Sequence, residues 1–381
     1  MYVIVGAGIA GLRVGIECSK KGIKCCILER YSVGGRVTTF KKHFPGIEDV
    51  QWEIGAGRIS ISHKKVLQLF KKYGLTFVPH SSDSYYNGDT NNFNDLISVY
   101  LEPLRLLDPS VLATHTLGEL LSSVLVDAKT FYNKFPYFSE IHVLRADLAL
   151  HAFQHEMGSN SFGSCKEGLE SLTDSMRDEF ISLGGSIFTG VEVLNIHENT
   201  VFCKTDGGPK EFHAKNIVLA VSSTALKSIK GIRAPVLKYL KMEPLMRIYA
   251  VFKEPITIPL TVTDSPIRYI IPVGPHAVMI SYTDGDDARY WKKKDQAAVM
   301  KELRKIVDVP DPIFFKKEYW ADGCTYWLPG KYNVEEESEK SLQIGENVFL
   351  CGESYAVHQC WIESALDQAD KLLRLEGFMK I

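Results

Sequence analysis

The stretch Val3-Ile-Val-Gly6-Ala-Gly8-Ile-Ala-Gly11-Leu constrains the fold most, because it compresses a buried strand, a glycine turn and a helix start into the first dozen residues. Tyr2 to Val5 are apolar and β-branched, as expected of a parallel strand covered on both faces. The glycines that follow have the spacing G-x-G-x-x-G. Gly6 permits a tight turn, Gly8 lets the backbone approach a pyrophosphate without a Cβ in the way, and Gly11 lets the helix sit close to the strand. The free N–H groups and positive dipole end of that helix then face the phosphates. Alone, the motif equally describes a plain glycine turn.

It does not stand alone. After a helix of about ten residues, Gly22-Ile-Lys-Cys-Cys-Ile-Leu28 reads as a second strand that ends at Glu29, 23 residues after Gly6. An acidic residue there can accept hydrogen bonds from an adenosine ribose. Next comes Glu29-Arg-Tyr-Ser-Val-Gly34-Gly35-Arg36-Val-Thr38, in which two adjacent glycines expose backbone N–H groups to an anion and Arg36 adds a cation. A second pyrophosphate clamp suits FAD. This stretch resembles the glycine-doublet motif of flavin-containing amine oxidases, L-amino-acid oxidases and their relatives.

At 381 residues, with 45% hydrophobic and 24% charged residues, the chain has the composition of a soluble globular protein large enough for two domains. The net charge of −2 and the lack of a basic block point away from nucleic acid and from an anionic membrane surface. No apolar run approaches a membrane span, and the opening apolar stretch is spent on the nucleotide turn rather than on a signal peptide, which favours the cytoplasm. Eight scattered cysteines without a C-x-x-C spacing make zinc unlikely and read as reduced thiols. His151 and His155 share a helix face but have no third ligand at suitable spacing, so no metal site is expected.

Trp52-Glu53-Ile-Gly55-Ala-Gly57-Arg58-Ile-Ser60 reads as a short strand and turn, followed by an amphipathic helix from about His63 to Tyr73 that Gly74 stops. In the family this turn passes the flavin ring, and Gly55-x-x-Arg58 is similar to the turn from which L-amino-acid oxidases present an arginine to the substrate carboxylate. An arginine on FAD or on a surface carboxylate is the alternative. Residues 81–97 are polar and read as a loop or edge hairpin. Helical pieces from Thr116 to about Met157 are expected to form a cap over the substrate site. Gly163-Ser-Cys-Lys-Glu-Gly168-Leu is expected to begin a helix through Phe180, closed by Gly184-Gly185. Short strands follow at 186–188, 191–196, 201–205 and 211–213, and Asn216 to Ser222 reads as a buried strand returning to the nucleotide sheet. By resemblance, Val193 recognises adenine through its backbone.

From 235 to about 335 a mixed sheet with a helix at Asp295–Val307 is expected, with strands at Met246–Phe252, Tyr269–Pro272 and Ala277–Tyr282. Arg247-Ile-Tyr-Ala-Val-Phe-Lys-Glu-Pro255 resembles the family strand whose lysine bonds through water to flavin N5, but here that position is Arg247. Arginine is permanently cationic and donates only, whereas a desolvated lysine can titrate. The departure puts the usual oxidative half-reaction in question. Tyr319 to Gly330 is aromatic and turn-rich, and by resemblance it occupies the place of the family segment that supplies one wall of the substrate cage, which implies a site role for Tyr326. Cys324 lies near the site of covalent flavin attachment in some monoamine oxidases, in a shorter loop, and a non-covalent flavin is expected. The closing segment runs from Asn347-Val-Phe-Leu-Cys-Gly352-Glu353 to His358-Gln-Cys-Trp361-Ile-Glu363 and an amphipathic helix. The resemblance implies that its N-terminus faces the flavin pyrimidine, where a positive dipole end stabilises negative charge, with Trp361 beside the reacting carbon.

The expected fold is therefore an α/β two-domain flavoprotein. Its Rossmann-like FAD domain is discontinuous, at 1–65, 160–235 and 340–381, with a substrate domain made of a helical cap at 66–159 and a mixed sheet at 236–339. The resemblance implies FAD contacts at Gly6, Gly8, Ala10, Gly11, Glu29, Arg30, Gly35, Arg36, Gly55, Ala56, Gly57, Arg58, Val193, Gly352, Glu353, Trp361 and Ile362. It implies catalytic positions at Arg247, Trp361, Tyr326 and Arg58. The implied chemistry is hydride transfer from an amine or L-amino acid to flavin N5, then reoxidation by oxygen with release of hydrogen peroxide. A dehydrogenase or desaturase on a non-amine substrate and a non-catalytic flavin-binding scaffold are the alternatives. Substrate identity, oligomeric state and physiological electron acceptor stay open.

Overall fold

The computed structural model describes residues 1–80, 83–124, 128–158 and 162–379, so positions 81 and 82 of the polar stretch lie outside the described residues. A five-stranded parallel sheet carries the N-terminal motif, in the spatial order Ser186–Phe188, Cys25–Leu28, Tyr2–Val5, Asn216–Leu219, Val348–Leu350. Strands drawn from the two ends and the middle of the sequence thus meet in one layer. Alternation along Tyr2–Val5 serves two cores. Tyr2 and Ile4 pack with Leu12, Leu172, Phe180 and Leu366 on the side of the helices Ile9–Lys20, Glu170–Ser182 and Ile362–Arg374. Val3 and Val5 pack with Val193, Val201 and Phe212 of the antiparallel strands Glu192–His197, Thr200–Thr205 and Gly208–His213. Each such fully buried aliphatic or aromatic side chain contributes roughly 1.5–3 kcal/mol relative to exposure.

The second sheet has seven strands in the order Phe314–Trp327, Leu240–Val251, Ala277–Asp284, Tyr269–Pro272, Thr261–Val262, Tyr85–Tyr86, Asp89–Thr90. The polar stretch therefore contributes an edge hairpin. Met246, Ile248 and Ala250 bury against Trp291, Val299 and Leu303. Arg247 and Tyr249, one position out of phase, face the strand Val50–Glu53: both donate to the Glu53 carbonyl, and the Trp52 ring stacks on Tyr249 at 4.5 Å and 9°. A one-residue slip of this strand would drive the guanidinium into the apolar core, so the pattern fixes which face Arg247 takes. Short helical pieces between Phe93 and Gly158 cover this sheet and supply Leu101, Leu117, Phe131, Phe135 and Phe153 to the larger core.

Two expectations are corrected. Residues Phe162–Cys165 form a strand paired with Ile59–Ser60 and Phe77–Pro79, and the helix begins only at Glu170. A Cβ on Gly163 would lie 2.4 Å from the Phe77 ring, so this glycine marks a close strand approach and not a helix start. The segment read as turn-rich is the later half of a 14-residue strand, Phe314–Trp327. Its irregularity is a bulge opposite Glu243 and Leu245, where Gly323 would place a Cβ 2.6 Å from Leu245. A further helix, Gly285–Lys292, was not anticipated; Asp286 and Asp287 occupy its first turn, where they complement the dipole. No described helix is long and apolar enough to cross a membrane.

Candidate active site

The glycine turn is built as its residue types require. Gly6 has φ +101°, and a Cβ there would come within 2.5 Å of the Ala220 carbonyl oxygen; a Cβ on Gly11 would come within 2.0 Å of the Gly6 oxygen. Gly8 meets nothing within 4 Å on its Cβ side and caps the helix Ile9–Lys20 with no side-chain hydrogen bond. An open, uncapped helix N-terminus is an anion site. The Glu29 carboxylate accepts the Ala7 N–H at 2.8 Å and the Tyr31 N–H at 2.8 Å, which fixes it at the rim of the same turn. Gly34 and Gly35 both have positive φ. The Gly34 N–H bonds to the Ala7 carbonyl at 3.0 Å, and Gly35 lies against the Gly8 Cα. The two glycine motifs, far apart in a linear reading, are thus one surface.

Around this surface the other sequence-derived positions take different places. Gly352, at φ +117°, lies against Ala10, and Ile362 opens the helix whose cap, Trp361, makes no side-chain cap bond. The Gly55 position touches the Arg36 carbonyl so closely that a Cβ would fall 1.9 Å away, and the Ala56 N–H is taken by that carbonyl at 2.9 Å. Val193 sits in the strand whose neighbour Val191 bonds to the Glu29 carbonyl. Arg30 is exposed and pairs with Glu192 at 3.3 Å. The Arg36 guanidinium is engaged within the protein, with Glu353 at 2.7 Å and the Gly323 carbonyl at 2.8 Å. Glu353 itself is buried and also accepts from Thr325 and Cys360.

Beyond the turn 55–58 opens a cavity of about 1710 Å³. Arg58 and Arg247 both line it, with Tyr137, Phe162, Tyr269 and Tyr282. Part-buried Arg58 sits over three rings, Phe162 at 4.6 Å and Tyr137 and Trp361 at 5.5 Å, and the Phe162 and Trp361 rings are parallel to within 9°. Arg247 is buried, donates to the Glu53 carbonyl at 2.8 Å, lies over Tyr282 at 5.4 Å and abuts Gly57. Its Nε has no hydrogen-bond partner. Among the described residues no carboxylate forms an ion pair with either arginine. Burial raises the phenols of Tyr137, Tyr269 and Tyr282 above their ordinary range, so they stay neutral. Burial also pushes the Glu53 carboxyl up to about 7, against the Leu169 N–H and Thr39 hydroxyl that favour its charge. The end of the cavity beside the turn 55–58 therefore presents two guanidinium groups among neutral phenols, while Lys41, Lys42, Lys166, Glu48, Asp49 and Glu167 line the rest of it.

Tyr326 is not brought to this cavity. It is buried with its hydroxyl 3.3 Å from Glu140, in a separate small pocket that also touches Trp361. Burial, then Asp284, pushes Glu140 up to about 8. Tyr137, Phe162, Tyr282 and Glu140 were missed in the sequence. Each lies in an apolar or aromatic context where nothing but tertiary placement separates a site residue from core. His358 joins His151 and His155, its ring 4.0 Å from that of His151, a neighbour no spacing could reveal. Among the described residues no group of three or more side chains is arranged to hold a metal.

A parallel sheet with a glycine-lined phosphate surface, joined to a mixed sheet across an aromatic cavity, defines a dinucleotide-dependent oxidoreductase with a separate substrate domain. The NAD(P)-binding Rossmann-like domain matches residues 4–73, and the flavin containing amine oxidoreductase family matches residues 116–371. The chain belongs to the flavin-containing amine oxidoreductases. It is an FAD-dependent enzyme acting on a small-molecule amine, in an α/β two-domain fold. Among solved structures, a putrescine oxidase double mutant is similar over 98% of this chain and 99% of that chain, at TM-score 0.75 and 16% identity. A single mutant of putrescine oxidase matches over 97% of both chains at TM-score 0.76 and 16% identity. The wild type bound to putrescine matches over 97% of both at TM-score 0.74 and 15% identity. No curated protein matches the chain by sequence.

Proposed function

We propose that the amine oxidised here carries a carboxylate, as an α-amino acid does, and that oxygen is the electron acceptor, giving hydrogen peroxide. One observation carries the substrate reading: two guanidinium groups, Arg58 and Arg247, line one cavity with no ion-paired carboxylate among the described residues. A diamine such as putrescine, bound by one structural neighbour, would meet like charge there, which costs several kcal/mol. An amino acid would set its carboxylate in the Arg58 fork.

In this reading FAD lies along the joined glycine surface. Gly6, Gly8, Ala10, Gly11 and Gly35 lie at the phosphates, Glu29 at the ribose and the Val193 backbone at adenine. Gly55, Ala56 and Gly57 flank the ring, and Gly352, Trp361 and Ile362 its pyrimidine end. Arg36 and Glu353, already paired with each other, act by holding the loop positions around the cofactor. The open Cβ side of Gly8, the uncapped helix starts and the orphaned Arg247 Nε support this fit. When bound, FAD accepts the hydride from the substrate carbon; the protein orients and desolvates. Arg58 fixes the carboxylate, the neutral tyrosines exclude water, and Arg247 keeps a fixed positive charge near Gly57. Segments 1–65, 160–235 and 340–381 form the cofactor domain, and 66–159 with 236–339 the substrate domain. The eight free cysteines support a reducing, cytoplasmic compartment.

Anaerobic titration of the yellow protein with a panel of amino acids and their decarboxylated amines tests this. Bleaching by amino acids and not by diamines is expected; bleaching by diamines alone would overturn it.

A further inference from the structure

Outside the substrate cavity lies a second pocket, of about 20 Å³, and none of its wall residues lines the large one. A water molecule needs about 10–15 Å³ of such space, so this pocket admits one group of that size. Three elements bring polar side chains to it: Glu140 from the helix Ser139–His142, Tyr326 from the strand Phe314–Trp327 and Gln359 from the loop before the helix Ile362–Arg374. Glu140 is 6% exposed and Gln359 8%, yet Glu140 Oε2 and Gln359 Oε1 have no hydrogen-bond partner. Such buried orphans are rare. Turning the amide over does not remove one of them: Gln359 Nε2 donates to the Ser354 carbonyl at 3.0 Å, which fixes the oxygen as the atom left over. Glu140 Oε1 accepts the Tyr326 hydroxyl at 3.3 Å, which leaves Oε2 alone. The carboxylate charge lacks a partner as well. Asp284 accepts the Phe138 and Ser139 N–H groups at 2.9 and 2.7 Å, so a second buried carboxyl sits at the start of the same short helix, and among the described residues neither carboxyl has an ion-pair partner.

We propose that this pocket binds one ammonium ion, held by Glu140 Oε2, Gln359 Oε1 and the Tyr326 phenol oxygen. The atoms left without partners are acceptors, and ammonium is a water-sized group that only donates. A water would serve both oxygens but leave the carboxylate charge uncompensated in the interior, which is costly. An alkali cation of similar radius needs more oxygens than this wall supplies, since Leu144, Leu148, Ala152 and Val357 make most of the remainder apolar. The rings of Tyr326 and Trp361 on the same wall favour a cation further. Oxidation of a primary amine gives an iminium ion, and water converts it to a carbonyl compound and ammonium. Turnover therefore supplies the ligand, although binding itself does not depend on that supply.

The test melts the FAD-loaded full-length protein in rising ammonium chloride, with tetramethylammonium chloride holding the ionic strength constant. The assay is run at pH 8.5, because burial, then Asp284, raises the Glu140 carboxyl to about 8 and a cation below that must displace a proton. The melting temperature should climb with each tenfold step in ammonium, as for any ligand that binds the folded state alone. Methylammonium, one methyl too large for the pocket, and potassium should give no comparable rise. Glu140→Gln, which keeps the shape and removes the charge, should lose the ammonium response. No rise with ammonium would leave a bound water as the occupant and overturn the proposal. An equal rise with methylammonium would place the binding in the substrate cavity, an equal rise with potassium would make the site one for alkali cations, and an undiminished response in Glu140→Gln would remove the carboxylate from it; each of these overturns the proposal too. The three cations compared on the wild-type protein decide it even if the variant fails to fold.

Discussion

Arg58→Ala is the most informative substitution at the cavity. The guanidinium lies within 4.6 Å of the Phe162 ring centroid and 5.5 Å of those of Tyr137 and Trp361, and no described carboxylate neutralises it. Truncating one member of a hydrogen-bonded charge pair costs about 2–5 kcal/mol, and because Arg58 is only part-buried the lower end applies, about 2–3 kcal/mol. At 1.4 kcal/mol per decade this is a loss of roughly 30- to 150-fold in kcat/KM. The loss should fall on carboxylate-bearing amines alone, so the ratio of kcat/KM for an amino acid to that for its decarboxylated amine is the quantity to measure. Arg58→Lys separates charge from shape, since it keeps the cation and loses the planar fork and the ring stacking; it should recover only part of the ratio. Lost stacking also lowers stability, so melting temperatures of all three proteins belong to the assay. An equal fall for both substrate types would refute the carboxylate role and leave Arg58 as a cofactor-side or structural cation.

Arg247→Lys is expected to speed the return of the yellow colour in air after anaerobic bleaching, because a lysine can hold water and release a proton where a guanidinium cannot; stopped-flow absorbance compares the two proteins. Glu53, with its carboxyl raised from 4.5 to about 7, is protonated in the folded state while the unfolded chain has already ionised. Its contribution is thus fully present below pH 4.5, is lost as pH rises to about 7, and changes little beyond, a fall of about 3 kcal/mol. Denaturant unfolding of wild type and Glu53→Gln at pH 5 and pH 8 measures it as the difference between the two proteins. Acid precipitation should release FAD into the supernatant, as expected of a flavin held only by the paired glycine turns; flavin retained in the pellet would show a covalent link at Cys324.

Much of the glycine turn and its parallel sheet was legible in the sequence, because their requirements are local. Gly6, Gly8 and Gly11 are demanded by backbone conformation and close approach within one turn of chain, and Glu29 follows from the length of one strand–helix–strand unit. The parallel strands announced themselves through unbroken apolar runs, since both faces of that sheet are covered. The edge hairpin near residue 85 and the helix stopped by Gly74 were likewise written in turn chemistry.

The substrate side depended on tertiary structure. That Arg58 is caged by Phe162 and Trp361, 104 and 303 residues further along the chain, rests on the pairing of Phe162–Cys165 with Ile59–Ser60 and on the approach of the final helix, neither of which local pattern encodes. The strand Phe314–Trp327 was misread because its glycine serves a bulge against a strand 80 residues earlier, and a bulge is a property of two strands together. Tyr326 shares the aromatic composition of its segment, but strand alternation turns it away from Arg58 and toward Glu140. Composition and spacing determined which cofactor surface this chain can build. Only the long-range packing of two sheets decided which charges face the cavity beside it, because a side chain's face depends on the partner strand as well as on its own.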